Sequence, residues 1–265
     1  MFLVSVIIPM YNSETTIVRA LDSVKSQSQL ELIGEIIVVN DGSTDNSDRI
    51  VNEYAERHPN LNIKLLNKSN GGVASARNLG ISSSSFDWIA LLDSDDEWLS
   101  NKLEHQYNIL IENKQIDLLG GEINDKPLSI LGKKLNYLHK IKTTNLLIKM
   151  YPQTSTTIFK KSVFESIGGF DETLRYAEDG RFFVEVAFNF NSYYDPMKVV
   201  IYDRGKKGFG ERGLTSNLSE MHRSEMLNLE RFKQIGIIGL FNTQLMKLFY
   251  KIKYLRRIII SRGSK

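Results

Sequence analysis

Two rhythms of apolar and polar positions alternate along the first 115 residues. Short apolar runs, Phe2 to Pro9, Glu35 to Asn40, Ile63 to Leu66 and Trp88 to Leu92, have the length of buried strands. Between them, apolar residues recur every three or four positions, as on one face of a helix: Ile17, Ala20, Leu21 and Val24, then Ile50, Val51, Tyr54 and Ala55. A short third helix carries Ala74, Arg77 and Asn78, and a fourth is marked by Leu99, Leu103, Tyr107 and Leu110. Strands alternating with helices through short loops predict an α/β fold, a mostly parallel sheet with helices on both faces.

In such sheets ligands bind in the crevice outside the carboxyl ends of the strands. Pro9 to Asn12, Asp41-Gly42-Ser43, Asn70-Gly71 and Asp93 to Asp96 all fall at those ends, so four polar clusters converge on one crevice. Beyond residue 115 the pattern loosens. Strands are expected at Asp117 to Ile123, Thr154 to Phe159 and Tyr194 to Tyr202, and residues 124–142 look like an insertion near the crevice. Gly168 to Asp171 reads as a loop. Phe182, Phe183, Val186, Ala187 and Phe190 mark a helix whose first turn holds Glu178 and Asp179.

Charge changes the picture at the far end. Residues 231–265 hold nine Lys or Arg and no acid, which leaves the first 230 residues at −6 although the whole chain is at +3. There Phe241, Leu245, Leu248, Phe249, Ile252, Leu255 and Ile259 recur at helical spacing among Lys247, Lys251, Lys253, Arg256 and Arg257. Such a helix either lies on an anionic membrane or docks on protein; periodicity is the same for both. The chain has no Cys, which excludes disulfides and thiolate metal sites and suits a reducing cytosol. No secretory leader is expected, because Met1 to Pro9 lacks a basic start, and no apolar run is long enough to span a bilayer.

The candidate chemistry lies in the polar clusters. Asp93, Asp95, Asp96 and Glu97 put four acids in five positions directly after a buried strand. Helix starts favour acids, but four exceed what capping needs. A divalent cation shared with substrate phosphates is the reading favoured here, since Mg²⁺ and Mn²⁺ sites often combine one or two carboxylates with phosphate oxygens. Asp41, taken alone, is a turn and cap residue that could also accept hydrogen bonds from a base or ribose. Glu178 and Asp179 suit a helix start, and an ionised carboxylate there suits a general base. A Gly-x-Gly-x-x-Gly turn and a Gly-x4-Gly-Lys-Ser/Thr loop are both missing, so an ordinary dinucleotide site and a P-loop are not expected.

Ser5 to Asn12, Ile37 to Asp45, Gly71 to Asn78 and Leu92 to Asp96, followed by Gly168 to Glu172 and Glu178-Asp179, resemble the family 2 glycosyltransferases of the GT-A fold, in the right order over about residues 3–200. The resemblance implies an inverting transferase that uses a nucleotide-diphosphate sugar, most often a UDP-sugar, with Mn²⁺ or Mg²⁺. It implies that Pro9, Tyr11, Asn12, Asp41, Gly71, Arg77 and Asp93 bind the nucleotide-sugar, Asp95 ligates the metal, and Asp179 is the catalytic base. Many relatives carry a His-containing segment after the last core strand. Here Tyr202 to Ser216 has none, and Arg204, Lys206 and Lys207 stand in that stretch.

The expected organisation is a GT-A catalytic domain over 1–216 and a basic, amphipathic helical extension over 217–265. The expected partners are a nucleotide-sugar donor and a glycan or lipid-linked acceptor, in surface polysaccharide or lipid-linked glycan synthesis. The expected location is the cytoplasm, with peripheral contact at the inner membrane face through the C-terminal helix. Two other readings stay open: a sugar-phosphate nucleotidyltransferase, and a non-catalytic nucleotide- or nucleic-acid-binding module. The Gly-rich, basic loop of the first is missing after the first strand. The second leaves Asp179 without a role, and the body lacks basic stretches interleaved with aromatics, so no nucleic-acid partner is expected.

Overall fold

The computed structural model describes residues 2–123, 128–202 and 217–263. Its first half runs β1 (Val4–Met10), α1 (Ile17–Lys25), β2 (Ile33–Asn40), α2 (Ser47–Arg57), β3 (Ile63–Asn67), α3 (Val73–Ser82), β4 (Trp88–Leu91), β5 (Glu97–Trp98) and α4 (Lys102–Glu112). The second half runs β6 (Leu118–Glu122), β7 (Ser129–Ile130), β8 (Lys133–Lys134), β9 (His139–Lys140), α5 (Thr143–Ile148), β10 (Ile158–Lys160), α6 (Lys161–Ile167), α7 (Glu178–Asn189), β11 (Ser192–Lys198), β12 (Val200–Ile201), α8 (Leu218–Gln234) and α9 (Leu240–Gly263).

The central sheet has eight strands in the order β3-β2-β1-β4-β10-β6-β11-β9. Strands β3, β2, β1 and β4 are mutually parallel, as the alternating pattern predicts. Every residue of β1 is buried. Its residues alternate between two cores: Val4, Val6, Ile8 and Met10 pack with α1, α2 and α4, whereas Ile7 faces the core that contains α3 and α7. Burying each such aliphatic side chain contributes about 1.5–3 kcal/mol relative to exposure. Two-sided burial is why these strands read as continuous apolar runs. At Gly80 of α3 an added Cβ would sit 2.5 Å from Ile7 Cγ2, so only Gly lets this helix lie so close to the sheet.

Beyond residue 115 the expected strand β6 and helix α7 are present, but other elements depart from the expectations. The strand expected from Thr154 begins only at Ile158, because residues Thr154–Thr156 form a 3-10 turn. Thr has strand-like propensity, but here Thr156 Oγ1 and Thr157 Oγ1 donate to the carbonyls of Gln153 and Thr154, and this back-bonding favours the turn. Strand β10 then enters antiparallel between β4 and β6, so the sheet is mixed. The strand expected over Tyr194 to Tyr202 is two elements. Register with β6 slips between Tyr194 and Lys198, where Pro196 cannot donate to the ladder, and β12 leaves the sheet to pair with β5. Within the insertion, β7 and β8 form a hairpin closed by Leu131 and Gly132, both at positive φ, and β9 joins the sheet edge. Residues 124–127, and the stretch holding Arg204, Lys206 and Lys207, lie outside the described residues.

Helix α8 packs on α7. Asn228 of α8 accepts from Arg181 Nε and donates to the Ala177 carbonyl, and Arg231 pairs with Glu185 at 3.3 Å. Helix α9 packs in turn on α8. Among the described residues no helix is long and apolar enough to cross a membrane.

Candidate active site

The crevice opens where the connections from β1 diverge: β2 lies on one side of it and β4 on the other, the switch point at which open α/β sheets bind ligands. Ile7 accepts a hydrogen bond from Leu92 N, so the edge of β1 bearing Ile7 faces β4. Two residues on, Pro9 faces the same way, beyond the last residue of β4. A residue without an N–H is tolerated there because no partner strand remains. The loops after β1 and β4 stay tied across the gap by the Ser13 and Ser94 hydroxyls, 2.8 Å apart.

Residues after β1 and β2 interlock. Asn12, at φ 49°, accepts from Thr44 N at 2.8 Å, and its own N–H donates to Ser43 Oγ. Tyr11 beside it is exposed. Asp41 is buried and accepts three hydrogen bonds, from Lys68 Nζ at 2.7 Å and from the amides of Gly71 and Gly72 at 2.8 Å each. Gly72 precedes α3, so Asp41 fastens the start of that helix to the end of β2. Gly42, at φ 74°, turns the chain under Asn70, where a Cβ would come within 2.8 Å of the Asn70 amide.

The acidic turn sorts its carboxylates. Asp96 is buried and faces inward, accepting from Ser155 Oγ at 2.6 Å and Gln153 Nε2 at 2.9 Å. The same Ser155 Oγ accepts from Asp93 N at 2.9 Å, and Trp98 Nε1 donates to the Ser155 carbonyl. Asp93 is half-buried and pairs with Arg77 Nη2 at 2.8 Å. Glu97 pairs with Arg19 Nε at 2.7 Å, while Arg19 Nη2 donates to the Asp95 carbonyl. Asp95 is the exposed acid of the turn.

Arg77 joins this turn to α7. It is buried, and its two terminal nitrogens hold Asp93 and Glu178, the latter at 3.0 Å. Its guanidinium lies 5.3 Å from the centre of the Phe170 ring, and the surrounding acids hold its proton more tightly still. Ala177, just before α7, adopts φ 54°, a left-handed conformation costing a non-glycine residue about 1–2 kcal/mol. The hydrogen bond from Asn228 to its carbonyl helps hold it there. Burial pushes the Glu178 carboxyl up to about 7, with the Asp179 charge adding to that effect and Arg77 opposing it. Burial likewise raises Asp179, against the pull of Arg77 and the Gly180 amide, and the Asp93 charge raises it further. One guanidinium serves three acids, so the Glu178–Asp179 pair retains a proton above the ordinary carboxylate range.

Among the described residues no group of three or more His, Cys, Asp or Glu is arranged as a metal cage. Of the turn's acids, Asp96 is committed to Ser155 and Gln153, and Asp93 to Arg77. The exposed carboxylate of Asp95 is a hard oxygen donor, which fits Mg²⁺ or Mn²⁺ when phosphate oxygens complete the shell. The acidic run in the sequence did not reveal that Asp96 turns inward, and nothing in it marked Ser155, Gln153 or Lys68 as the groups that fix these loops.

Comparison with known proteins agrees with this geometry. A family model described as "Glycosyl transferase family 2" matches residues 5–168, which includes the loops after β1, β2 and β4. A glycosyltransferase of Rickettsia prowazekii (strain Madrid E) is 33% identical over 216 residues, 76% of this chain and 64% of that protein. The chain therefore spans under two thirds of that relative's length. Among solved structures, Staphylococcus aureus TarS 1–349 in complex with UDP-GlcNAc superposes with a TM-score of 0.71 at 21% identity, over 94% of this chain and 71% of that one. The mannosyltransferase PcManGT from Pyrobaculum calidifontis, in complex with GDP-Man and Mn²⁺, gives 0.68 at 16% identity, over 99% and 75%. The sheet order, the crevice at its switch point and the match over most of the crevice loops lead to one assignment: the fold is GT-A, and the chain belongs to glycosyl transferase family 2.

Proposed function

We propose that the chain is an inverting glycosyltransferase that moves a sugar from a UDP-sugar to an acceptor hydroxyl, with Asp179 as the base. The observation that carries this reading is the Arg77 bridge. It ties the acidic turn after β4 to the first turn of α7, so the groups suited to a diphosphate and the group suited to a proton belong to one crevice. The UDP-GlcNAc bound by TarS supports a uridine nucleotide as donor.

In this reading Tyr11, Pro9, Asn12 and the loop fixed by Asp41 and Gly71 receive the base and ribose. Asp93, oriented by Arg77 and Ser155, borders the ribose and diphosphate. Asp95 would hold Mn²⁺ or Mg²⁺; when bound, the cation supplies positive charge to the departing diphosphate. The Mn²⁺ in the PcManGT complex supports that choice of ion. Asp179 takes the acceptor's hydroxyl proton as the hydroxyl oxygen bonds to the anomeric carbon. The bond from that carbon to the diphosphate oxygen breaks with its electron pair, and UDP leaves. Attack opposite the leaving group inverts the anomeric centre and needs no covalent sugar intermediate. A carboxylate of raised proton affinity, once ionised, is a better base than an ordinary one. Acceptors in surface polysaccharide or lipid-linked glycan synthesis fit this reading, with the protein at the cytoplasmic membrane face.

The test is Asp179→Asn. Transfer is expected to fall by roughly 10²–10⁴-fold while calorimetric UDP binding stays within about threefold of the parent. Turnover near the parent's would reject Asp179 as base. Transfer of a nucleotidyl group from an NTP to a sugar phosphate, with release of pyrophosphate, would reject the whole reading.

A further inference from the structure

Helix α9 shows two faces with separate assignments. One face is fixed to α8: Thr243 and Tyr250 are buried, Tyr254 stacks on His222 with ring centres 4.5 Å apart, Arg257 pairs with Glu225 at 2.9 Å, and Lys247 pairs with Glu230. Thr243, Tyr250 and Arg257 are seven residues apart, so this seam runs straight along the helix. The opposite face carries Phe241, Leu245, Leu248, Ile252, Leu255 and Ile259, each between 50% and 75% exposed. Their spacing of four and three residues in turn makes an unbroken apolar stripe over about 27 Å of helix. Its length and continuity exceed the scattered surface Leu or Ile of an ordinary domain.

The charges beside the stripe indicate what covers it. Of the three acids of α8, Glu225 and Glu230 are taken up by the inner cations Arg257 and Lys247, and Glu220 pairs with Arg223 of its own helix. Lys251 and Arg256, which flank the stripe, remain exposed. A second copy of α9 fits poorly. In a parallel pair, residues five apart on either side of an apolar seam meet across it, which places Lys251 against Arg256 twice. An antiparallel pair also brings only cations together, since residues 231–265 contain no acid. A flat anionic surface satisfies both features: it takes the apolar stripe among its acyl chains and the flanking cations among its headgroups. The helix is too charged to span a bilayer and is shaped to lie on one.

We infer that α9 docks the protein on an anionic lipid surface through the Phe241-to-Ile259 stripe, with Lys251 and Arg256 against the headgroups. The α8 contact then hands this orientation to the site, because Asn228 of α8 holds the Ala177 carbonyl that precedes Glu178 and Asp179. The inference is independent of the reaction proposed above.

The experiment is co-sedimentation of the full chain with phosphatidylcholine vesicles containing or lacking 30% phosphatidylglycerol, paired with sedimentation velocity without lipid. The parent is expected to pellet with the anionic vesicles, to do so less as salt rises, and to be monomeric without them. Lys251→Gln/Arg256→Gln is expected to weaken vesicle binding by about 25-fold, taking each basic residue near the surface as roughly fivefold. Leu248→Gln/Ile252→Gln, at exposed positions that leave the α8 seam intact, is expected to abolish binding without lowering the melting temperature. A parent that stays in the supernatant with anionic vesicles would overturn the inference. So would a lipid-free dimer that Leu248→Gln/Ile252→Gln dissolves, since the stripe's partner would then be another copy.

Discussion

The crevice holds acids on two sides, and they are treated in opposite ways. After β4, Asp93, Asp95, Asp96 and Glu97 are dispersed, to Arg77, to the exposed surface, to Ser155 with Gln153, and to Arg19. At the start of α7, a buried Glu178 and a half-buried Asp179 are held together, short of countercharge, and their affinity for a proton rises. Dispersed carboxylates suit a cation and its phosphates; crowded, desolvated ones suit a proton. Neighbouring acids thus acquire different chemistry through their partners rather than their residue types, and among the described residues Arg77 pairs with both groups.

The largest effect should come from breaking that link. Arg77→Met leaves Asp93 and Glu178 without their cation in a buried setting, and removing one partner of a buried ion pair costs about 3–5 kcal/mol. Urea denaturation is expected to show a loss of that size. Adding Glu178→Gln to Arg77→Met removes one of the stranded charges, so the double variant should regain at least about 1 kcal/mol over the single one. If the double variant is no more stable, Arg77 acts mainly by filling space beside Phe170, and the contrast between the two groups of acids loses its electrostatic basis.

A smaller effect follows from pH. Glu178 binds its proton more tightly folded than unfolded, so the folded chain carries more protons between the ordinary value of 4.5 and about 7. Stability from this group is therefore fully present below pH 4.5 and is lost as pH rises through about 7. The size is about 3 kcal/mol. Glu178→Gln should flatten the stability curve over that window. Transfer by the parent should run the other way, rising as pH climbs and the pair gives up its proton. An activity profile that falls over the same range would remove the proton-handling role from α7.

The parallel half of the molecule was legible because both faces of β1, β2 and β4 are buried, and burial imprints itself directly on residue type. The convergence of Pro9, Asp41 and Asp93 followed from the same strands, and that of Gly71 from β3 beside them, since the carboxyl end of a parallel strand is where its loop must be. Beyond residue 115 the signal held for β6 and α7 and failed elsewhere for local reasons. Thr154 to Thr157 look like a strand by residue type, yet the Thr156 and Thr157 hydroxyls bond backbone carbonyls of the same turn. Lys102 sits in a helical pattern as an ordinary surface residue but is wholly buried, 4.1 Å from the Trp98 ring centre and bonded to Gln106, and burial drives its proton affinity well down. Within the site, the run Asp93-Ser94-Asp95-Asp96 could be read as acidic but not as sorted, because sorting depends on Ser155 and Arg77, which lie far away in sequence. Ionisable groups are assigned by their partners, and partners across the fold leave no local periodicity.

The finest test concerns how the acidic turn stays sorted. Ser155 Oγ accepts from the Asp93 amide and donates to Asp96, so one hydroxyl keeps Asp93 facing the crevice side and Asp96 facing the core. Ser155→Ala removes no charge and little volume. It leaves the Asp93 amide without this acceptor and takes one donor from Asp96, which keeps Gln153. The cost should be about 1–2 kcal/mol of stability, less than for Arg77→Met, because the Gln153 bond persists. If the hydroxyl also orders the turn, UDP affinity measured by calorimetry with Mn²⁺ should drop about three- to tenfold, while affinity without metal changes little. Equal losses with and without Mn²⁺ would mean that the hydroxyl supports the nucleotide pocket as a whole, and that the sorting of the acids is set by Arg77 alone.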